Sequence, residues 1–219
     1  MHDLGILVDA DLVMQIHVQK TVSRCFAVLG QLHSIRHSVP TTTFQTLIVS
    51  LSLVLPRLAA GLRKCRLGLA GLPSYLFRRL QSVMNAAARL IYGLRHPDHI
   101  SDALISLHWL RAQERVRFKM AVLMYKATHG TAPSYLSQLV RVVDLPGRRS
   151  LRSARTNRLL VPPVKLSTVG GRAFPVAGPT IWNSLPDSVI SALSLSTFRQ
   201  HLKTFLFQAS LPGIIIDPR

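Results

Sequence analysis

Apolar residues recur at helical spacing over most of this chain, and the places where the recurrence stops are as informative as the runs. Val18, Val22, Cys25, Leu29 and Leu32 fall three or four residues apart, which predicts a helix with one buried stripe. His17, Lys20, Arg24 and Arg36 fall mostly elsewhere on its wheel. Pro40 and the threonines after it punctuate, and an apolar helix is expected from there to about Leu55. From Pro73 the period returns: Leu76, Leu80, Val83, Ala87 and Leu90 form an inward stripe, and Arg78, Ser82, Asn85 and Arg89 a polar one. A further helix is expected over Ala112–Thr128, with Val116, Met120, Leu123 and Ala127 inward and His129-Gly130 as its stop. A last one carries Phe198, Leu202, Phe205 and Leu206 on its apolar face, with Ser196 as its cap.

Two stretches break the pattern. Residues 3–9 read as a short β-strand, after which Asp9 or Asp11 can cap a helix. Beyond about Leu145, cations arrive in a run broken by Pro and Gly, which predicts irregular backbone with short strands around Leu159–Leu166. The chain is therefore expected to be mainly α, with strand residues at 1–12, a helical region over 13–95, a basic α-rich region over 96–208 and a tail over 209–219.

Composition narrows the function classes. At 219 residues and nearly half apolar, the chain can bury a real core. Lys and Arg number 27 against 9 Asp and Glu, a formal charge of +18. Between Leu12 and Pro97 eleven Lys and Arg occur with no Asp or Glu. Such a field favours a polyanion, because neutralising phosphates releases condensed counterions. An anionic membrane surface is the competing partner, and a solvated basic face the plain alternative. Phe44–Pro56 is the one membrane candidate, but it is too short to span a bilayer and reads better as a core helix. Cys25 and Cys65, far apart in apolar contexts, read as reduced structural thiols of a nuclear or cytoplasmic protein.

A family resemblance rests on the segment Gly170-Gly171-Arg172-Ala173-Phe174-Pro175-Val176-Ala177-Gly178-Pro179-Thr180-Ile181-Trp182-Asn183-Ser184-Leu185-Pro186. It is joined, in family order, by Leu80–Gly93, His99–Leu110, Tyr125–Leu136, Leu151–Pro163 and Phe198–Phe207. Together these resemble the C-terminal part of reverse transcriptases from LINE-type (non-LTR) retrotransposons of the jockey and chicken-repeat branch. The resemblance implies a last palm strand at the start, then a helical thumb-like bundle, then a second α-rich domain. It implies RNA and DNA of template–primer type as partners, with a palm as a further protein partner. The family carries Ser-Arg-Leu-Asp-Tyr-Cys-Asn ahead of Leu69-Ala70-Gly71-Leu72-Pro73, whereas this chain has a longer run over Pro56–Arg66 that lacks the Asp and the Tyr.

The family's polymerase chemistry needs carboxylates that hold two magnesium ions, and its aromatic-Ala-Asp-Asp turn is not in this sequence. Asp9-Ala10-Asp11 is the one close carboxylate pair, read as capping rather than ligating, so no catalysis and no cofactor are expected of this chain. His96, His99 and His108 lack the companions that structural zinc requires, and His108-Trp109 reads as a core pair. Gly170-Gly171 has no Lys-Ser/Thr of a phosphate loop, and no serine sits in a nucleophile elbow, so a small-molecule substrate is not expected. The expected nucleic-acid contacts are Arg78, Arg79 and Arg89 on the thumb-like helix, then Arg148, Arg149, Arg152, Arg155, Arg158, Lys165 and Arg172. Arg suits this role because its fork donates bidentately to phosphate and stays charged. Trp182 reads first as a packed anchor and second as a platform for a base. The alternatives to nucleic-acid binding are a helical protein-interaction module and a relic of a decayed element.

Overall fold

The computed structural model describes residues 2–3, 6–7, 15–50, 71–136, 139–144, 157–166 and 170–210. The protein is mainly α-helical. Its helices are α1 (Gln15–Ile35), α2 (41–50), α3 (Ser74–Tyr92), α4 (Ser101–Ser106), α5 (Ala112–Thr128), α6 (Phe174–Asn183), α7 (Asp187–Ile190) and α8 (Leu195–Ser210). The chain divides into two compact units, Met1–Cys65 with Leu72–Arg115, and Arg66–Gly71 with Val116–Arg219.

In the first unit α1 packs on α3. Val18, Val22, Cys25 and Leu29 supply the buried face of α1, and Leu76, Val83, Met84, Ala87, Ala88, Leu90 and Ile91 that of α3. Each of the larger side chains contributes roughly 1.5–3 kcal/mol by leaving water. His17, expected off the stripe, instead lies buried at 9 % exposure beside Val18, at the edge of the same face. Ile6–Leu7 does form a strand pair, but its partner is the chain's own start, His2 lying opposite Leu7 and Asp3 opposite Ile6.

Helix ends in both units use one device. Gly93 follows α3 with φ 66°, and the Leu94 N–H bonds the Arg89 carbonyl at 3.0 Å. Gly130 follows α5 with φ 69°, with Gly130 bonding Ala127 and Thr131 bonding Lys126. These are Schellman closures, in which a left-handed residue turns the next N–H groups back onto the last free carbonyls. After α4 the left-handed residue is His108, φ 52°, whose N–H bonds Ile105 while that of Trp109 bonds Leu104. His108 is therefore exposed, not half of a core pair: the turn that buries Trp109 on the helix holds the imidazole outward. Arg115 lies over the Trp109 ring at 5.4 Å and donates from Nε to the Leu110 carbonyl, and burial lowers its pKa to about 10.

The second unit is built round an aromatic ladder. Tyr125 stacks on Phe198 at 4.5 Å, and Phe198 on Trp182 at 5.9 Å. Phe198 is fully buried and Trp182 is 2 % exposed. The Tyr125 hydroxyl donates to the Ala192 carbonyl at 3.0 Å, so the ladder is also tied to the turn before α8. That helix is capped by Ser194 rather than Ser196: the Thr197 N–H bonds Ser194 Oγ, which satisfies a donor of the first turn. Its buried face is Phe198, Leu202, Leu206 and Phe207, with Phe205 only half-buried. The strands expected around Leu159–Leu166 reduce to a single antiparallel bridge between Arg141 and Leu159. Pro162 and Pro163 have no N–H to continue the pairing.

Candidate nucleic-acid interface

In the most particular segment of the sequence Pro175, Gly178, Trp182 and Asn183 each have a structural reason. Pro175 stands in the first turn of α6, where a missing N–H costs nothing, while Pro179 lies buried inside the helix. Gly178 faces Met124 of α5 so closely that an added Cβ would overlap the thioether sulfur. That approach sets Trp182 and Asn183, at the end of α6, against residues 157–159. Trp182 donates from Nε1 to the Asn157 carbonyl at 2.9 Å. Asn183 accepts the Leu159 N–H at Oδ1 and donates from Nδ2 to the Leu159 carbonyl, both at 2.9 Å. Leu160 and Val142 then bond across to Val140 and Arg158, which aligns residues 140–142 alongside. Trp182 is thus a packed anchor whose indole face is not open to a base.

The expected phosphate contacts separate into three groups. Arg78 and Arg79 are exposed on α3, as are Arg158 and Lys165 in the second unit. Arg89 and Arg172 are half-buried. Arg89 donates from Nη2 to the His96 carbonyl at 3.3 Å and its Nε is shut away from water, so it braces the turn after α3. The aliphatic part of Arg172 lies against Gly71, where an added Cβ would overlap its Cγ. Arg148, Arg149, Arg152 and Arg155 lie outside the described residues.

Beside the Trp182–Asn183 clamp lies a cleft of about 230 Å³. Its floor includes Leu159, Trp182, Ile190 and Ala192, and its rim includes His129, Arg141, Asn157 and Leu193. Among the described residues no Asp or Glu lines it. His129 marks the open end of the aromatic ladder, stacked on Tyr125 at 3.9 Å with 16° between planes. Its Nδ1 sits 2.8 Å from the Tyr125 carbonyl, an acceptor, so Nδ1 carries the proton and Nε2 is the free acceptor of the neutral ring. From the sequence, His129 reads only as a helix stop and Arg141 carries no assigned role. The signal for Arg141 was a lone cation between apolar residues in Leu139-Val140-Arg141-Val142, but its cross-strand partner could not be read from the sequence.

Among the described residues no three His, Cys, Asp or Glu come together to hold a metal ion, so nothing there fits the magnesium pair of the polymerase family. Asp9-Ala10-Asp11 lies outside them. No described helix is long and apolar enough to cross a membrane, and the second half of Phe44–Pro56 lies outside the described residues. Comparison with family models, with curated proteins and with solved structures finds no match to the chain.

Proposed function

We propose that the chain is a non-catalytic piece of a LINE-type reverse transcriptase that holds RNA and DNA through their phosphate backbones. The observation that carries this reading is the charge: +18 overall, with eleven Lys and Arg and no carboxylate between Leu12 and Pro97. Arg78 and Arg79, both exposed at successive positions of α3, give that field side chains that can meet a strand. Exposed arginines reach phosphate oxygens without leaving a buried charge behind, which is why Arg89 and Arg172 rank below them. Contacts of this kind position the nucleic acid and carry no sequence choice.

The test is a fluorescence-anisotropy titration of the full chain with an RNA–DNA hybrid at low and at physiological salt, with duplex DNA of equal length as comparison. A protein making six or more phosphate contacts should lose about 10³-fold in affinity across that range. Reversal of Arg78 and Arg79 to Glu should flatten the salt dependence, and reversal of Arg148, Arg149, Arg152 and Arg155 should abolish binding. A folded chain that ignores both nucleic acids at low salt would show the charge to be a solvated face.

A further inference from the structure

The cleft beside the Trp182–Asn183 clamp has the features of a site rather than of a packing flaw. A packing flaw exposes apolar walls at random; here the apolar floor is saturated and the polar rim is not. The Leu159 peptide is doubly bonded by Asn183, and the carbonyls of Asn157 and Ala192 are taken by Trp182 and Tyr125. Among the described residues, by contrast, the Arg141 guanidinium, the Asn157 carboxamide and the Ser191 hydroxyl bond nothing within the protein. All three can donate, Asn157 and Ser191 can also accept, and the Arg141 charge with no carboxylate among the described lining residues favours an anion with hydrogen-bonding edges.

His129 supplies the second half of the recognition. Tyr125 covers one of its faces, the Tyr125 carbonyl fixes Nδ1, and Thr128 Oγ1 lies 3.1 Å from the same nitrogen. The imidazole is thereby locked as an exposed plate whose uncovered face continues the stack of Trp182, Phe198 and Tyr125. The Schellman closure at Gly130 fixes the backbone behind it. Leu193, fully exposed on the rim, offers an apolar edge that has no packing role in the protein itself. At about 230 Å³ the cleft falls below the roughly 300–1,000 Å³ of pockets for drug-sized ligands, so it admits one base and its sugar rather than a longer segment.

From this juxtaposition we infer that the cleft binds a single nucleotide unit, its base stacked on His129 and its phosphate held by Arg141, with Asn157 and Ser191 on the polar edges. Base stacking on aromatic rings tolerates any base, so the site fixes where a strand bends inward rather than which sequence it has. The inference rests on the nucleic-acid-binding reading where the nucleotide belongs to a strand. A free nucleoside monophosphate presents the same chemistry.

The experiment uses the full chain and two single-stranded eight-nucleotide probes of equal charge, oligo-uridylate and its abasic counterpart. The natural strand should bind more tightly than the abasic one, about tenfold, and His129→Ala should bring that ratio close to one. His129→Phe, which keeps a plate, should retain it, and Arg141→Gln should weaken both strands alike. Equal binding of the two strands, unaffected by His129→Ala, would overturn the cleft and leave phosphate-backbone binding standing. If neither strand binds, that broader reading fails, and the remaining arm decides the cleft: adenosine monophosphate should shift the His129 ring resonances in NMR where ribose 5-phosphate and inorganic phosphate do not. Absence of that shift would remove the site altogether.

Discussion

In the first unit α1 and α3 meet through aliphatic side chains that obey the 3.6-residue period, and almost any set of similar volumes on the same positions would serve. In the second unit residues 157–159 are held by the side chains of Trp182 and Asn183, which bond backbone atoms one by one. The first kind of packing is written as a pattern and is forgiving. The second is written as identities and is not, because a buried donor or acceptor that loses its partner costs more than the bond itself contributed. Glycines and prolines cluster around the second for the same reason: Gly178 and Pro179 shape α6 so that two particular side chains arrive at residues 157–159.

That contrast can be broken most directly at Trp182. Trp182→Ala should cost about 3–5 kcal/mol, removing the ladder's largest ring and stranding the Asn157 carbonyl. Hydrogen exchange should show the loss at amides of residues 157–210 while those of α3 stay protected. Equal loss in α3 would mean that the two kinds of packing are not separable. A finer comparison sets two near-isosteric changes side by side in urea denaturation. Leu76→Met in the buried face of α3 should cost less than about 1.5 kcal/mol. Asn183→Asp, no larger than the native side chain, should cost about 2 kcal/mol, since it sets a half-buried carboxylate oxygen against the Leu159 carbonyl in place of a donor.

The smallest effect is one of pH. Burial pushes the Cys25 thiol above its ordinary 9.0, so the folded first unit disfavours the thiolate that the unfolded chain forms freely. The stability tied to Cys25 is therefore complete below pH 9.0 and falls as pH rises through the higher folded value. Thermal melts between pH 7 and 10 should show this loss, and Cys25→Ala should remove that part of the slope. A slope unchanged by the substitution would show that Cys25 contributes nothing to it.

Periodicity carried the helices well: Ala112–Thr128 is the observed span of α5, and the stripes of α1 and α3 are buried nearly as their spacing implies. It carried nothing that depends on where a helix stops in space. His108 follows a helix of only six residues, and the closure that turns it outward is invisible until that end is known. Ser194 and Ser196 are equivalent in sequence, and only the start of α8 decides between them. The cations were legible as a charge but not as individuals. Arg78 and Arg89 share a stripe, yet one lies in water and the other braces a turn, because the chain after α3 folds back so that the His96 carbonyl meets Arg89. The cleft was illegible because its parts are far apart in sequence: α5, the segment around Arg141, residue 157 and the turn before α8 each bring one part of it.

The protein has two tryptophans, Trp109 in one unit and Trp182 in the other. They sit in different optical surroundings, Trp109 beneath a guanidinium at 5.4 Å and Trp182 within a stack of rings and hydrogen-bonded at its indole nitrogen. Both are buried, so each should emit at short wavelength when folded and shift to the red when its own surroundings open. Each unit thus has its own intrinsic fluorophore, and a variant that keeps one tryptophan reports the opening of one unit by colour without a dye.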